Sequence, residues 1–275
     1  MIVKSNKKAM MTRSAGLDVG KSFELSGCTT HTMYSAAVGQ SYTVHLARPS
    51  GSSPARGWPL LLLLDANASF ATCVDTMRRM ARRPDATGVS EMLVVGVDHA
   101  TGSGKDARQR DYAEAPDAFR SFLTEELLPA IHASVPTDEA RLTLMGHSLA
   151  GYFTLSSLAS PFSRFAAFSP SLWFDFDGLK EQVQHTSSGK GVFLAVGEWE
   201  ATLAPFQQDQ PGSEQVLRRR QSRQMVSDVT RLMCDMREIG GIAPLESHVL
   251  PAEDHASIVT AAMPKALRFA SASPL

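Results

Sequence analysis

Cysteine is scarce in this chain of 275 residues, and Cys28, Cys73 and Cys234 are widely spaced and odd in number. With no Cys-x-x-Cys pair, they exclude a disulfide framework and point to reduced thiols in a cytoplasmic protein. No grouping of Cys, His and Asp has metal-ligand spacing, so neither a metal nor another cofactor is expected. Net charge is almost absent, at −1, and gives no reason to expect nucleic acid or an anionic membrane as partner. No apolar run approaches the roughly 18 residues of a membrane span, and Leu60 to Leu64 falls far short of it. Lys4, Lys7 and Lys8 are not followed by the apolar segment of a secretory signal. Internal repeats and low-complexity linkers are missing as well.

What is present is enough apolar residue, 43% of the chain, to bury a sizeable core. Residues 1–20 read as a loose tail, and 21–275 as a single domain. Strands are expected from about Glu24 to Tyr34, and from Ser41 to Ala47, where Tyr42, Val44 and Leu46 alternate with polar residues. Leu60 to Leu64, Met92 to Val97, Leu142 to Met145, Phe165 to Ser169, Val192 to Val196 and Ser247 to Leu250 read as further strands. Most are apolar throughout, as parallel strands covered on both faces are. Helical spacing separates them, beginning with a helix capped by Asn67 and carrying Phe70, Val74, Met77 and Ala81. Asp98 to Ala115 reads as a polar loop long enough to suspect function. Another helix carries Phe119, Phe122, Leu123 and Leu127 with Pro129 near its end, and a last one spans Ser257 to Phe269. Alternating strands and helices predict an α/β fold, a mainly parallel central sheet with helices on both faces.

The chemistry concentrates at Leu142-Thr143-Leu144-Met145-Gly146-His147-Ser148-Leu149-Ala150-Gly151. An apolar strand runs into a glycine, a serine follows two residues later, and small residues precede a helix running to about Ala159. This is the layout of a nucleophile elbow, whose sharp turn pushes the serine hydroxyl clear of the backbone. Small neighbours are needed because strand and helix backbones come close together there. Ala150 stands where the pattern has its second glycine, and Gly151 follows.

A serine nucleophile needs a base and a group to orient that base. In α/β folds such groups lie beyond the carboxyl ends of the strands, and in α/β-hydrolases the chain order is serine, acid, histidine. Beyond the strand at 192–196 stands Gly197-Glu198-Trp199-Glu200, and beyond that at 247–250 stands Glu253-Asp254-His255. Ser148 is then the nucleophile, His255 the general base, and Glu200, further round its turn than Glu198, the orienting acid. Oxyanion donors are expected at the backbone N–H of Leu149 and at one after the Leu60 to Leu64 strand, at Ala66 or Asn67. His147 precedes the serine, contrary to the chain order; His248 lies within a strand, and His99 reads as a loop residue. Arg218, Arg219, Arg220 and Arg223 open an amphipathic helix with Met225, Val229, Leu232 and Met236. Its default is a solvated face, and the functional alternative is attraction of an anionic substrate.

With these residues in place, the chain resembles the putative-esterase branch of the α/β-hydrolases, especially bacterial trilactone siderophore esterases. The resemblance runs from about His31 to Phe269. It rests on Leu62-Leu63-Leu64-Asp65 with Phe70, Arg110-Asp111-Tyr112, Gly146-His147-Ser148 with Gly151-Tyr152-Phe153, and Ser169-Pro170-Ser171-Leu172-Trp173. Gly197-Glu198-Trp199-Glu200 and Glu253-Asp254-His255-Ala256-Ser257 complete it. The resemblance implies hydrolysis of a catechol-serine siderophore to release iron, with Arg110 and Trp173 lining the substrate pocket. Ala66, Ala150 and Ala256 replace glycines common in that family. The alternatives are a general carboxylesterase, a thioesterase acting on S-acyl glutathione, and a non-catalytic binding protein on the same fold. The partner expected is a small-molecule ester, which the resemblance narrows to a ferric siderophore.

Overall fold

The computed structural model describes residues 24–99, 104–186 and 189–273. The tail expected over 1–20 lies outside the described residues. Eight strands form one sheet: β1 (Cys28–Ser35), β2 (Gln40–Ala47), β3 (Trp58–Leu64), β4 (Leu93–His99), β5 (Thr137–His147), β6 (Arg164–Phe168), β7 (Lys190–Gly197) and β8 (Ile242–Leu250). Their spatial order is β1-β2-β4-β3-β5-β6-β7-β8. The β1–β2 and β2–β4 pairs are antiparallel and the others are parallel. The first strand begins at Cys28, later than Glu24, because a turn donates the Cys28 amide back to the Leu25 carbonyl.

The helices are α1 (Ala66–Ala81), α2 (Pro84–Thr87), α3 (Gly104–Gln109), α4 (Pro116–Ser121), α5 (Leu128–Ser134), α6 (Leu149–Ser156), α7 (Phe176–Gln184), α8 (Ser213–Arg223), α9 (Met225–Ile239) and α10 (Ile258–Ser271). They divide between the two faces of the sheet. Leu61 and Leu63 of β3 pack with Val74 and Met77 of α1 and Met263 and Leu267 of α10. Leu60, Leu62 and Leu64 pack in the opposite layer with Phe153 of α6 and Val229 and Leu232 of α9. The two-residue alternation of a strand sends neighbouring leucines to opposite cores, which is why the whole run is apolar. Truncating one of these leucines to alanine costs about 2–5 kcal/mol.

Four local expectations differ from the fold. The residue before α1 is Asp65, left-handed at φ 50°, and it makes no side-chain cap, so Asn67 lies inside the helix. Within the stretch 98–115, residues 104–114 are helical, α3 running into a turn of π-helix at Arg110–Glu114. Arg108, Arg110, Asp111 and Tyr112 find polar partners within the protein. The helix around Phe119 runs on through a π turn at Phe122–Leu127 into α5, which carries Pro129 in its first turn. The wide turn accommodates a residue that lacks an N–H and crowds the preceding carbonyl. The helix expected from Arg218 to Met236 is two helices, broken where Gln224 turns left-handed at φ 49°. Among the described residues no helix is long and apolar enough to cross a membrane.

Candidate active site

Ser148 lies between the end of β5 and the start of α6, at φ 59° and ψ −119°. A non-glycine residue held there carries strain of about 1–3 kcal/mol and persists because its surroundings over-determine it. The Ser148 amide donates to the Phe168 carbonyl at 3.0 Å, and its carbonyl accepts from the Tyr152 and Ser171 amides, each at 3.0 Å. Gly146 is required by close approach: a Cβ there would stand 2.4 Å from the Ala150 carbonyl oxygen. Gly151 faces the end of β6, where a Cβ would come within 3.2 Å of the Phe168 oxygen and Pro170 Cα. The elbow thus places its second glycine at the β6 contact, and Ala150 fits, fully buried, beside it.

His255 stands in the turn between β8 and α10. Its Nε2 is 3.1 Å from Ser148 Oγ, and its Nδ1 is 2.6 Å from Glu200 Oε2. Glu200 ends the short 3-10 turn Glu198–Glu200 that follows β7 and is only 3% exposed. Its other oxygen accepts from the Gly197 amide at 3.0 Å and from the Ser169 hydroxyl. Burial alone would raise the pKa of Glu200, but hydrogen bonds from His255, Ser169 and Gly197 outweigh it and hold it below the ordinary value. Glu200 is therefore an anion at neutral pH, aimed at the imidazole. Glu198 faces elsewhere and accepts the Ala252 amide at 3.0 Å.

The two loops carrying these residues are joined by main-chain contact. The Trp199 amide donates to the Glu253 carbonyl at 3.0 Å, and a Cβ on Gly197 would stand 2.4 Å from the same oxygen. Asp254 accepts the Ala256 and Ser257 amides at 2.8 and 2.9 Å, turning its carboxylate away from the imidazole. His147 Nε2 is 2.8 Å from the His255 carbonyl oxygen, so the ring donates to it. Burial, then the neighbouring His255, lowers the pKa of His147 to about 4, so this ring is neutral. His147 also lines a cavity of about 260 Å³ with Asp65, Ser69, Thr72, Ala256 and Thr260.

Leu149 and Ala66 each begin a helix, where the first amides lack an intrahelical acceptor. Among the described residues no backbone or side-chain acceptor meets either amide. Ala66, the first residue of α1, stands directly after Asp65 and is the candidate donor after β3. Gly96 of β4 lets this helix start sit close, since a Cβ there would stand 2.6 Å from the Ala66 methyl.

The structure brings Ser148, Glu200 and His255 together, and it adds three residues that spacing alone did not assign. Ser171 Oγ lies 3.3 Å from Ser148 Oγ. Ser169, at φ 40°, holds Glu200, and His147 holds the backbone of His255. The two serines stood in the Ser-Pro-Ser-Leu-Trp segment, which was the available signal. Trp173, on the turn after Ser171, is 46% exposed, and the Arg223 guanidinium lies 4.9 Å from its ring centre. Arg110 is drawn elsewhere: its Nε and Nη2 bind the buried Asp111 at 2.6 and 3.0 Å.

A serine in a strained strand-to-helix turn, with a histidine and a carboxylate delivered by later strand ends of a mostly parallel sheet, is the arrangement of an α/β-hydrolase. The chain belongs to the esterase family described as "Putative esterase", whose model matches residues 35–231. It is 30% identical over 209 residues to ferri-bacillibactin esterase BesA of Bacillus subtilis, covering 65% of this chain and 72% of that protein. It is also 25% identical over 262 residues to the siderophore enterobactin esterase of Emericella nidulans, covering 81% and 85%. The crystal structure of the BES protein from Bacillus cereus superposes with a TM-score of 0.78 and 25% identity, covering 94% of this chain and 100% of that one. The enterobactin and salmochelin hydrolase IroE shares the fold, with a TM-score of 0.69, 21% identity, and 90% and 95% coverage. The protein is accordingly a hydrolase acting on ester bonds.

Proposed function

We propose that this esterase works through an acyl-enzyme on Ser148 and that its substrate is a ferric trilactone siderophore, opened in the cytoplasm to free its iron. The observation that carries the mechanism is the continuous contact Ser148 Oγ, His255 Nε2, His255 Nδ1, Glu200 Oε2, at 3.1 and 2.6 Å. Ser148 Oγ attacks the ester carbonyl carbon while His255 Nε2 takes the hydroxyl proton. Glu200 keeps Nδ1 protonated and stabilises the imidazolium that forms. The carbonyl oxygen gains the negative charge and is met by the Leu149 and Ala66 amides. Collapse breaks the bond to the alcohol oxygen, which leaves with the proton from His255. Water, deprotonated by the same nitrogen, then attacks the acyl carbon and releases the acid and free Ser148.

The substrate class is supported by the names of the relatives and by the rim of the site. A ferric catecholate is a bulky aromatic anion, and Trp173 with Arg223 offers it an exposed ring beside a guanidinium. Arg110, tied to Asp111, keeps only part of its fork for a ligand. The test is incubation with iron-loaded and iron-free trilactone siderophore, followed by mass spectrometry, alongside p-nitrophenyl butyrate as a simple ester. Linear and monomeric products, absent with Ser148→Ala, are expected. Turnover of the simple ester or an S-acyl thiol without siderophore products would assign a general esterase or thioesterase, and no turnover at all would assign a binding protein.

A further inference from the structure

We propose that Arg108 and Tyr112 are positioning residues that fix the oxyanion-donating amide of Ala66, acting through Asp65. The proposal rests on the reading of Ala66 and Leu149 as oxyanion donors. Asp65 immediately precedes Ala66 and is left-handed, at φ 50° and ψ 47°, a conformation that disfavours any residue with a Cβ. Its side chain makes up for this. Oδ1 accepts from Arg108 Nε at 2.9 Å and from the Tyr112 hydroxyl at 3.0 Å, while Oδ2 accepts from Arg108 Nη2 at 2.6 Å. A two-pronged guanidinium contact fixes the carboxylate in its plane, which a lysine's single ammonium does not do.

Arg108 and Tyr112 are four residues apart and so share one side of the helical segment, turned to Asp65. The π turn at Arg110–Glu114 directs Asp111 elsewhere, onto Tyr42 and His99 at 2.6 and 3.0 Å. This anchors the segment from a different strand. Tyr112 is fully buried, and its ring packs 5.6 Å, centre to centre, from Phe153 of α6. Since α6 begins at Leu149, one tyrosine touches both the helix of the first donor and the carboxylate that sets the second. The clamp contacts no reacting atom of the triad. Its effect falls on the charged tetrahedral state, whose oxygen needs donors about 2.7–3.1 Å away.

The experiment measures kcat and KM on p-nitrophenyl butyrate, inhibition by phenylboronic acid, and thermal melting for Tyr112→Phe, Arg108→Lys and Arg108→Met. Phenylboronic acid forms a tetrahedral anion on an active serine and so reports the oxyanion site directly. Arg108→Met is expected to lower kcat about 10- to 100-fold with KM within about threefold, because the lost contact acts only in the transition state. Boronate inhibition should weaken by the same factor, and Arg108→Lys and Tyr112→Phe should fall between that variant and the parent. The proposal is overturned if folded Tyr112→Phe and Arg108→Lys keep both kcat and boronate affinity, or lose activity only in proportion to lost folded protein. Failure of the serine-esterase reading would look different: the unmodified protein would neither turn over the ester nor bind the boronate.

Discussion

At the carboxyl edge of one sheet, His255 pairs with Glu200 at 2.6 Å and His99 pairs with Asp111 at 3.0 Å. Both carboxylates are buried, at 3% and 1% exposure. The rings differ. The side chain of His255 is 42% exposed and presents its second nitrogen to Ser148, whereas that of His99 is 11% exposed and sits among Tyr42, Tyr112 and Phe119. The carboxylates differ too. Asp111 shares its charge with the permanent cation of Arg110 and with the Tyr42 hydroxyl, while Glu200 has neutral donors besides His255. Asp111 Oδ2 is shared among Tyr42, His99 and Arg110, whereas Glu200 Oε2 is aimed at His255 alone. The same pair of side chains is therefore a structural node in one place and a candidate base with its orienting acid in the other.

The largest effect expected from breaking this contrast is in His255→Gln, which should lower kcat by at least about 10⁴-fold with an unchanged melting temperature. The matching His99→Gln should leave kcat within about threefold while removing about 1–2 kcal/mol of stability, read by denaturant unfolding. Next comes the acid. Glu200→Gln should lower kcat by roughly 10²- to 10⁴-fold by allowing the wrong imidazole tautomer. Glu198→Gln, which touches only the Ala252 amide, should change kcat by less than about tenfold, and steady-state rates of the two variants decide between the glutamates.

The smallest effect concerns His147, whose pKa of about 4 lies below the value of about 6.5 for an unfolded histidine. Between these values the unfolded chain binds a proton that the folded one refuses. Stability should therefore fall as pH drops from about 6.5 to about 4 and level off beneath, by about 1–3 kcal/mol. Unfolding of His147→Gln across that window should be visibly flatter than that of the unmodified protein. Glu200, with its pKa lowered in the folded state, adds its own loss only in more acid solution.

Ser148, Glu200 and His255 were legible because strand ends can be read from apolar runs and because chain order restricts the choice among eight histidines. The parallel sheet was legible for the same reason. Contacts across the fold were not. Ser169 and Ser171 reach Glu200 and Ser148 only because the chain turns left-handed at φ 40° after β6, and nothing in local spacing requires that turn. The stretch 98–115 read as a loop because its polar side chains suggested solvent. Several instead bind Asp65, Tyr42 and one another, a pattern visible only once β2, β3 and β4 are side by side. Gln224 broke a helix without the glycine that usually marks such a break.

Covalent labelling with a fluorophosphonate, followed by peptide mass spectrometry, tests the central claim most directly. One adduct on Ser148 in the unmodified protein, with none in Ser148→Ala and slow labelling in His255→Gln, is the expected result. Labelling at another residue, or ester hydrolysis that survives Ser148→Ala, would contradict the assignment of Ser148 as nucleophile.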